Sequence, residues 1–195
     1  QNTKKMLDHN VLVRKAEGIE TAGSLNILFS DKTGTITKGS LEVVEFLTGD
    51  GKTVNVAECS KVKDLLNLAI GKNTQSMFDS SHKVIGGNAT DQALMKFIGE
   101  ETWASLQADK AREVTAAQGF NSTNKFSQAR IESIGKTFYK GAPERLLASA
   151  GHYLDADGEI REMNLAALNE RIEELASRAM RVLAFGYSEK AMTEN

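Results

Sequence analysis

The segment FSDKTGTITKG (29–39) sets Asp31 directly after the apolar run LNILF (25–29) and follows it with Lys32, three threonines and Gly34. A carboxylate at the carboxyl end of a buried strand lies where open α/β sheets bind their ligands. A carboxylate that attacks a phosphoryl group needs in-line placement, a cation to offset charge repulsion, and donors for the equatorial oxygens. Asp31 can be the nucleophile, Lys32 or a bound Mg²⁺ the cation, and Thr33 and Thr35 the hydroxyl donors, while Gly34 lets the backbone turn tightly. DKTG alone would pass for a polar turn. The whole of DKTGTIT behind a buried strand favours the chemical reading.

Other chemistry-bearing residues lie far along the chain. Phe120 is an aromatic among polar residues in FNSTNKFS (120–127), suited to stacking on a base, although most single phenylalanines are core residues. Lys125, and Lys140 in KGAPE (140–144), can meet phosphates; each alone reads as a solvated lysine. Thr90 is placed to cap a helix from Asp91 through Phe97, and an acid in that first turn is favoured by the helix dipole without any ligand. Arg181 follows a long helix, where an arginine is often only a dipole partner. Several look-alikes read as turns. GDGKT (49–53) ends like a phosphate-binding loop but has Phe46 where the first glycine belongs, and DADG (155–158) lacks the alternating ligands of a calcium loop.

These residues need a body to hold them. SLNILFSD (24–31) reads as a buried strand. LEVVEFL (41–47) and KTVNVAE (52–58) read as a hairpin, SKVKDLLNLAIG (60–71) as a helix and 75–88 as a loop. A second helical stretch surrounds Trp103, and ARIES and TFYKG (129–141) form another hairpin. Pro143 starts a helix and Asp-Gly makes a turn within 154–162. Leu165, Leu168, Ile172, Leu175 and Ala179 make one apolar helical face, ahead of a last strand at 181–187. The order describes an α+β body behind a short α/β beginning. With 195 residues, 41% of them apolar, the chain can bury a sizeable core. A net charge of −2 argues against nucleic-acid binding through a basic face, and the single cysteine allows no internal disulfide. The three histidines stand apart, which disfavours zinc. The start at Gln1 suggests a piece of a longer protein.

DKTGTIT resembles the phosphorylation signature of the P-type ATPases, ion pumps that form an aspartyl-phosphate. VLVRKAEGIETAG (11–23), GNATDQAL (87–94), FNSTNKFS, KGAPE and, more weakly, RVLAF (181–185) match that family in the expected order, so the resemblance covers essentially the whole chain. FNSTNK with KGAPE is most similar to the type II pumps, the calcium and sodium/potassium class. The resemblance implies a nucleotide-binding domain over 41–190, with a mainly antiparallel sheet flanked by helices. Residues 1–40 would open a Rossmann-like, haloacid dehalogenase-like phosphorylation domain, and 191–195 would begin the return to it. It implies ATP and Mg²⁺, with Asp31, Lys32 and Thr33 catalytic and the metal held partly by Asp31 and Thr33. It places Thr90, Asp91, Phe120 and Ser122 at the nucleotide, together with Lys125, Lys140, Gly141 and Arg181; Ser127 holds another position that often touches nucleotide. The family usually has Glu at the position of Asp91.

The resemblance further implies that the remainder of the pump, including its transmembrane helices, is the partner, and that this part lies on the cytoplasmic face. The fragment is expected to bind ATP without turnover, because one strand cannot complete a parallel sheet. A strand-exchanged dimer is a further expectation. The competing readings are a phosphatase or phosphomutase of the haloacid dehalogenase class, disfavoured by Thr33 where a second Asp is usual, and a non-catalytic nucleotide-binding module.

Overall fold

The computed structural model describes residues 24–31, 41–148, 150–178 and 180–192. The segment 11–23, Lys32, Thr33, the rest of the DKTGTIT motif beyond Asp31, Ala179 and residues 193–195 lie outside them.

Three strands open the described chain: β1 (Ser24–Asp31), β2 (Leu41–Thr48) and β3 (Thr53–Val54). Helix α1 (Ser60–Gly71) follows, then the small strands β4 (Met77–Phe78) and β5 (Val84–Ile85), and the helices α2 (Ala89–Ile98) and α3 (Glu100–Ala108). Strands β6 (Ala116–Gln118), β7 (Phe126–Ile131) and β8 (Lys136–Gly141) precede the short helix α4 (Pro143–Leu146). The hairpin β9 (His152–Leu154) and β10 (Ile160–Glu162), helix α5 (Leu165–Ala176) and strand β11 (Met180–Ser188) complete it. Seven strands form one sheet in the order β3-β2-β1-β11-β8-β7-β6, and every neighbouring pair is antiparallel. This is the mixed helix and antiparallel-sheet body expected of the sequence.

Strand alternation sends successive side chains to opposite faces. Phe46, Phe138 and Phe185 pack on one face with Leu66, Ile70 and Leu94 from α1 and α2. Their chain neighbours Leu47, Tyr139 and Ala184 pack on the other, against Leu175 of α5 and Leu146 of α4. The sheet therefore lies between two helical layers. Each layer is selected by period-2 patterning in the strands and an apolar stripe on the helices. In α5 the stripe is as expected: Leu168 and Leu175 are fully buried and Leu165 and Ile172 pack beside Leu168.

Several local expectations need correction. Helix α2 is capped by Asn88, whose side-chain oxygen accepts from the Asp91 N–H at 2.8 Å. Thr90 is already within the first turn, so it is not the cap. The segment 75–88 contains the two-residue pair β4–β5, too short to leave an alternating pattern. The arm 52–58 pairs only over Thr53–Val54 and then turns into a single 3₁₀ turn capped by Asn55, whose side chain accepts from the Ala57 N–H. Strand β1 was expected to open a parallel sheet. Its backbone instead pairs antiparallel with β2 and β11, which satisfies both of its edges within the chain. Among the described strands there is no parallel pairing.

Candidate functional site

A cleft of about 320 Å³ opens between the N-terminus of α2 and the strands beneath it, lined by Asn88, Ala89, Thr90, Asp91, Phe120, Lys140, Gly141, Arg181 and Leu183. Alternation explains which strand residues reach it. Lys140 is two residues from Phe138, and Arg181 and Leu183 are spaced by two from Phe185, so all share the face covered by α1 and α2.

Its floor is a buried ion pair. Lys140 Nζ donates to Asp91 Oδ1 at 2.6 Å and to the Asn73 carbonyl at 2.5 Å. Lys140 is 5% exposed and Asp91 8%. Burial pushes the Lys140 ammonium below the ordinary lysine range, and the charge and hydrogen bond of Asp91 pull the other way. The other Asp91 oxygen accepts from the Gln75 N–H at 3.4 Å. Gly87 has φ +70°, and a Cβ there would meet the Asp91 carboxylate, so only glycine lets the loop pass so close. Gly141 is equally constrained: a Cβ would run into the Lys125 carbonyl and Phe126, where the Ala142 N–H donates to the Lys125 carbonyl at 3.0 Å.

The walls differ in character. Phe120 is 51% exposed, so core packing does not account for it. With Leu183 it offers an apolar seat opposite the exposed Arg181. The first turn of α2 adds backbone N–H groups with the positive end of the helix dipole. Such a cleft can take a flat apolar group against Phe120, polar edges near Lys140 and anionic groups toward Arg181 and the helix terminus. Beside Lys140 in register, Ser127 is 5% exposed, and its hydroxyl has no hydrogen-bond partner among the described residues.

Six of the eight residues expected at a nucleotide line this cleft: Thr90, Asp91, Phe120, Lys140, Gly141 and Arg181. Ser122 and Lys125 do not. Both are exposed on the loop that carries Phe120, and Lys125 adopts φ +63° there. Asp31 ends β1 opposite Leu41, and Phe29 of the same strand stands opposite Arg181. Among the described residues, no group of three His, Cys, Asp or Glu side chains is arranged to hold a metal ion. The look-alikes are turns. Asp50 accepts from the Thr48 hydroxyl and the Lys52 N–H, while Asp155 accepts from the N–H groups of Asp157 and Glu159 and from Arg161. Sequence reasoning missed Asn73 and Gln75, whose only local signal is a polar run, KNTQ, directly after an apolar helix.

The cleft thus combines an exposed aromatic ring, a buried lysine and a helix terminus beside an antiparallel sheet. The model of the P-type ATPase family, cytoplasmic domain N, matches residues 56–195, and the chain belongs to this family. It is 31% identical to calcium-transporting ATPase 7, plasma membrane-type, of Oryza sativa subsp. japonica, over 95% of this chain and 19% of that protein. It is also 31% identical to a calcium-transporting ATPase of Listeria monocytogenes, over 95% of this chain and 22% of that protein. Identity to the human sodium/potassium-transporting ATPase subunit alpha-4 is 30%, over 93% of this chain and 20% of that protein. The chain thus spans about a fifth of the length of these curated relatives. Among the described residues, no helix is long and apolar enough to cross a membrane.

Proposed function

We propose that this chain is the ATP-binding part of a cation-pumping ATPase, and that the cleft over Lys140 is its nucleotide site. The carrying observation is that six residues singled out from separate sequence segments line one cleft. In this reading adenine stacks on Phe120, and its polar edge meets Lys140 and Asp91. The phosphates run toward Arg181. Base–aromatic stacking on a half-exposed ring contributes about 1–3 kcal/mol, enough to make Phe120 a principal contact.

In the intact protein, Asp31 accepts the γ-phosphate. A carboxylate oxygen attacks phosphorus in line, the bond to the ADP oxygen breaks, and an aspartyl-phosphate remains. Lys32 offsets charge at the attacking group. Asp31 and Thr33 would hold Mg²⁺, which supplies charge neutralisation at the transferring phosphoryl group. Cation transport then belongs to the remainder of the pump and its membrane helices, with this part on the cytoplasmic face. Residues 1–40 serve a phosphorylation domain that further chain completes, so the isolated fragment binds ATP without turning it over. The antiparallel pairing of β1 is a pairing of the fragment by itself, and in this reading β1 leaves it when parallel partners are supplied.

Calorimetric titration with ATP and GTP, repeated on Phe120→Ala and Lys140→Ala, tests the site. Saturable ATP binding weakened by both substitutions is the expected result. Absence of binding at millimolar ATP, or binding untouched by both changes, defeats it.

A further inference from the structure

Asn73 is 4% exposed and follows Lys72, the C-cap of α1. It does not line the cleft. Its backbone carbonyl accepts from Lys140 Nζ at 2.5 Å. Its side-chain amide donates to the Ser127 carbonyl at 3.2 Å and, at 3.5 Å, to the Phe138 carbonyl. Ser127 stands opposite Lys140 in the β7–β8 register, and Phe138 lies two residues before Lys140 on β8. One residue therefore grips the lysine at both ends, by its ammonium group and through the pair of strands that carries its backbone.

We infer that Asn73 is a positioning residue for nucleotide binding: it sets where the Lys140 ammonium sits and acts on the ligand only through it. This rests on the nucleotide reading of the cleft. A lysine ammonium has three N–H donors. Asn73 and Asp91 occupy two, which leaves the third for the cleft that Lys140 lines. Without the amide, the Asn73 carbonyl is no longer fixed against the strands. The long, flexible lysine stem then has a single fixed acceptor, Asp91, and its third donor is no longer aimed. A merely structural amide would tie α1 to the sheet and leave the ligand contact unchanged. The short approach of Nζ to the Asn73 carbonyl argues for the positioning role.

The test combines a thermodynamic cycle with a spectroscopic signature. ATP affinity is measured calorimetrically for the unmodified protein and for Asn73→Ala, Lys140→Met and the double variant, with thermal unfolding to confirm that each is folded. Asn73→Ala should weaken ATP roughly tenfold, the size of one misaligned charge-assisted hydrogen bond, and by under about twofold when Lys140 is already Met. Equal factors in the two backgrounds overturn the inference. Asn73→Ser replaces Asn73→Ala if the latter does not fold. In the unmodified protein, NMR should show a slowly exchanging Lys140 ammonium signal, identified by its loss in Lys140→Met, with a scalar coupling across the hydrogen bond to the Asn73 carbonyl carbon. A missing coupling overturns the inference without any variant. If the unmodified protein does not bind ATP, the nucleotide reading fails and the inference with it, whereas the coupling still reports whether Asn73 holds Lys140.

Discussion

Asp91→Ala takes away the only carboxylate among the described residues that contacts the Lys140 ammonium in the cleft. Breaking a buried ion pair by removing one partner costs about 3–5 kcal/mol, because the remaining charge is left desolvated. Here the geometry supports that range. The pair is 2.6 Å apart, with side chains 6% and 11% exposed, so little water can replace the lost partner. For a chain of this size the loss corresponds to a melting temperature lower by roughly 6–20 °C. Lys140→Met in the same molecule removes the stranded charge while keeping a long apolar stem, so the double variant should recover most of the loss. The deficit of Asp91→Ala should also shrink as pH rises. Lys140 already titrates below the ordinary 10.5, chiefly through burial, and losing Asp91 lowers it further. Between that lowered value and 10.5 the unfolded chain binds more protons than the folded one, so stability rises with pH across the window. Denaturant unfolding at neutral and at alkaline pH measures both effects. A double variant whose loss equals the sum of the singles, or a deficit independent of pH, would refute the reasoning.

Phe120→Ala should lower ATP affinity by about 1–3 kcal/mol in a binding titration while leaving the unfolding midpoint almost unchanged, because the ring is half-exposed. Asn88→Ala removes the cap of α2 and should destabilise the fold by about 1 kcal/mol in denaturant unfolding. Leu168→Ala, at a position with no exposure, should cost about 2–5 kcal/mol by the same measurement. Asp155 is held below the usual carboxylate range, first by the Arg161 hydrogen bond and then by backbone donors. Its contribution is present above its ordinary value of 3.8 and is lost as pH falls through the lowered folded value. Stability of Asp155→Asn should therefore fall less steeply than that of the unmodified protein in acid titration between 3.8 and that lowered value.

Elements governed by local periodicity were readable from the chain. Helix α1 covers the expected 60–71, β11 follows an apolar run, and the stripe of α5 meets the sheet as its spacing demands. The composition of the cleft was also largely readable, but only through the family resemblance, since Phe120, Lys140 and Arg181 taken singly pass for a core ring, a solvated lysine and a helix-dipole partner. Ser122 and Lys125 carry the same residue-type signal but remain in solvent, since the loop turns at Lys125 and presents only Phe120 to the cleft. What stayed hidden depends on partners remote in sequence. The pairing of Asp91 with Lys140 joins positions 49 residues apart. The role of Asn73 appears only when α1 is laid against β7 and β8. The cap of α2 was misplaced by two residues because Asn88 and Thr90 are both good caps, and the backbone geometry of the Gly86–Gly87 turn decides between them.

Strand β11 joins the sheet between β1 and β8 and carries Arg181 and Leu183, yet it is the last of the described strands. Every earlier lining residue lies between Asn88 and Gly141. A chain emerging from the ribosome can therefore bring Phe120 and Lys140 together first, but the wall carried by Arg181 and Leu183 closes only when β11 inserts beside β8. Non-local pairings of this kind form late, after loop closure has been overcome. The cleft is thus completed in one step, when β11 enters the sheet, and not gradually along the chain.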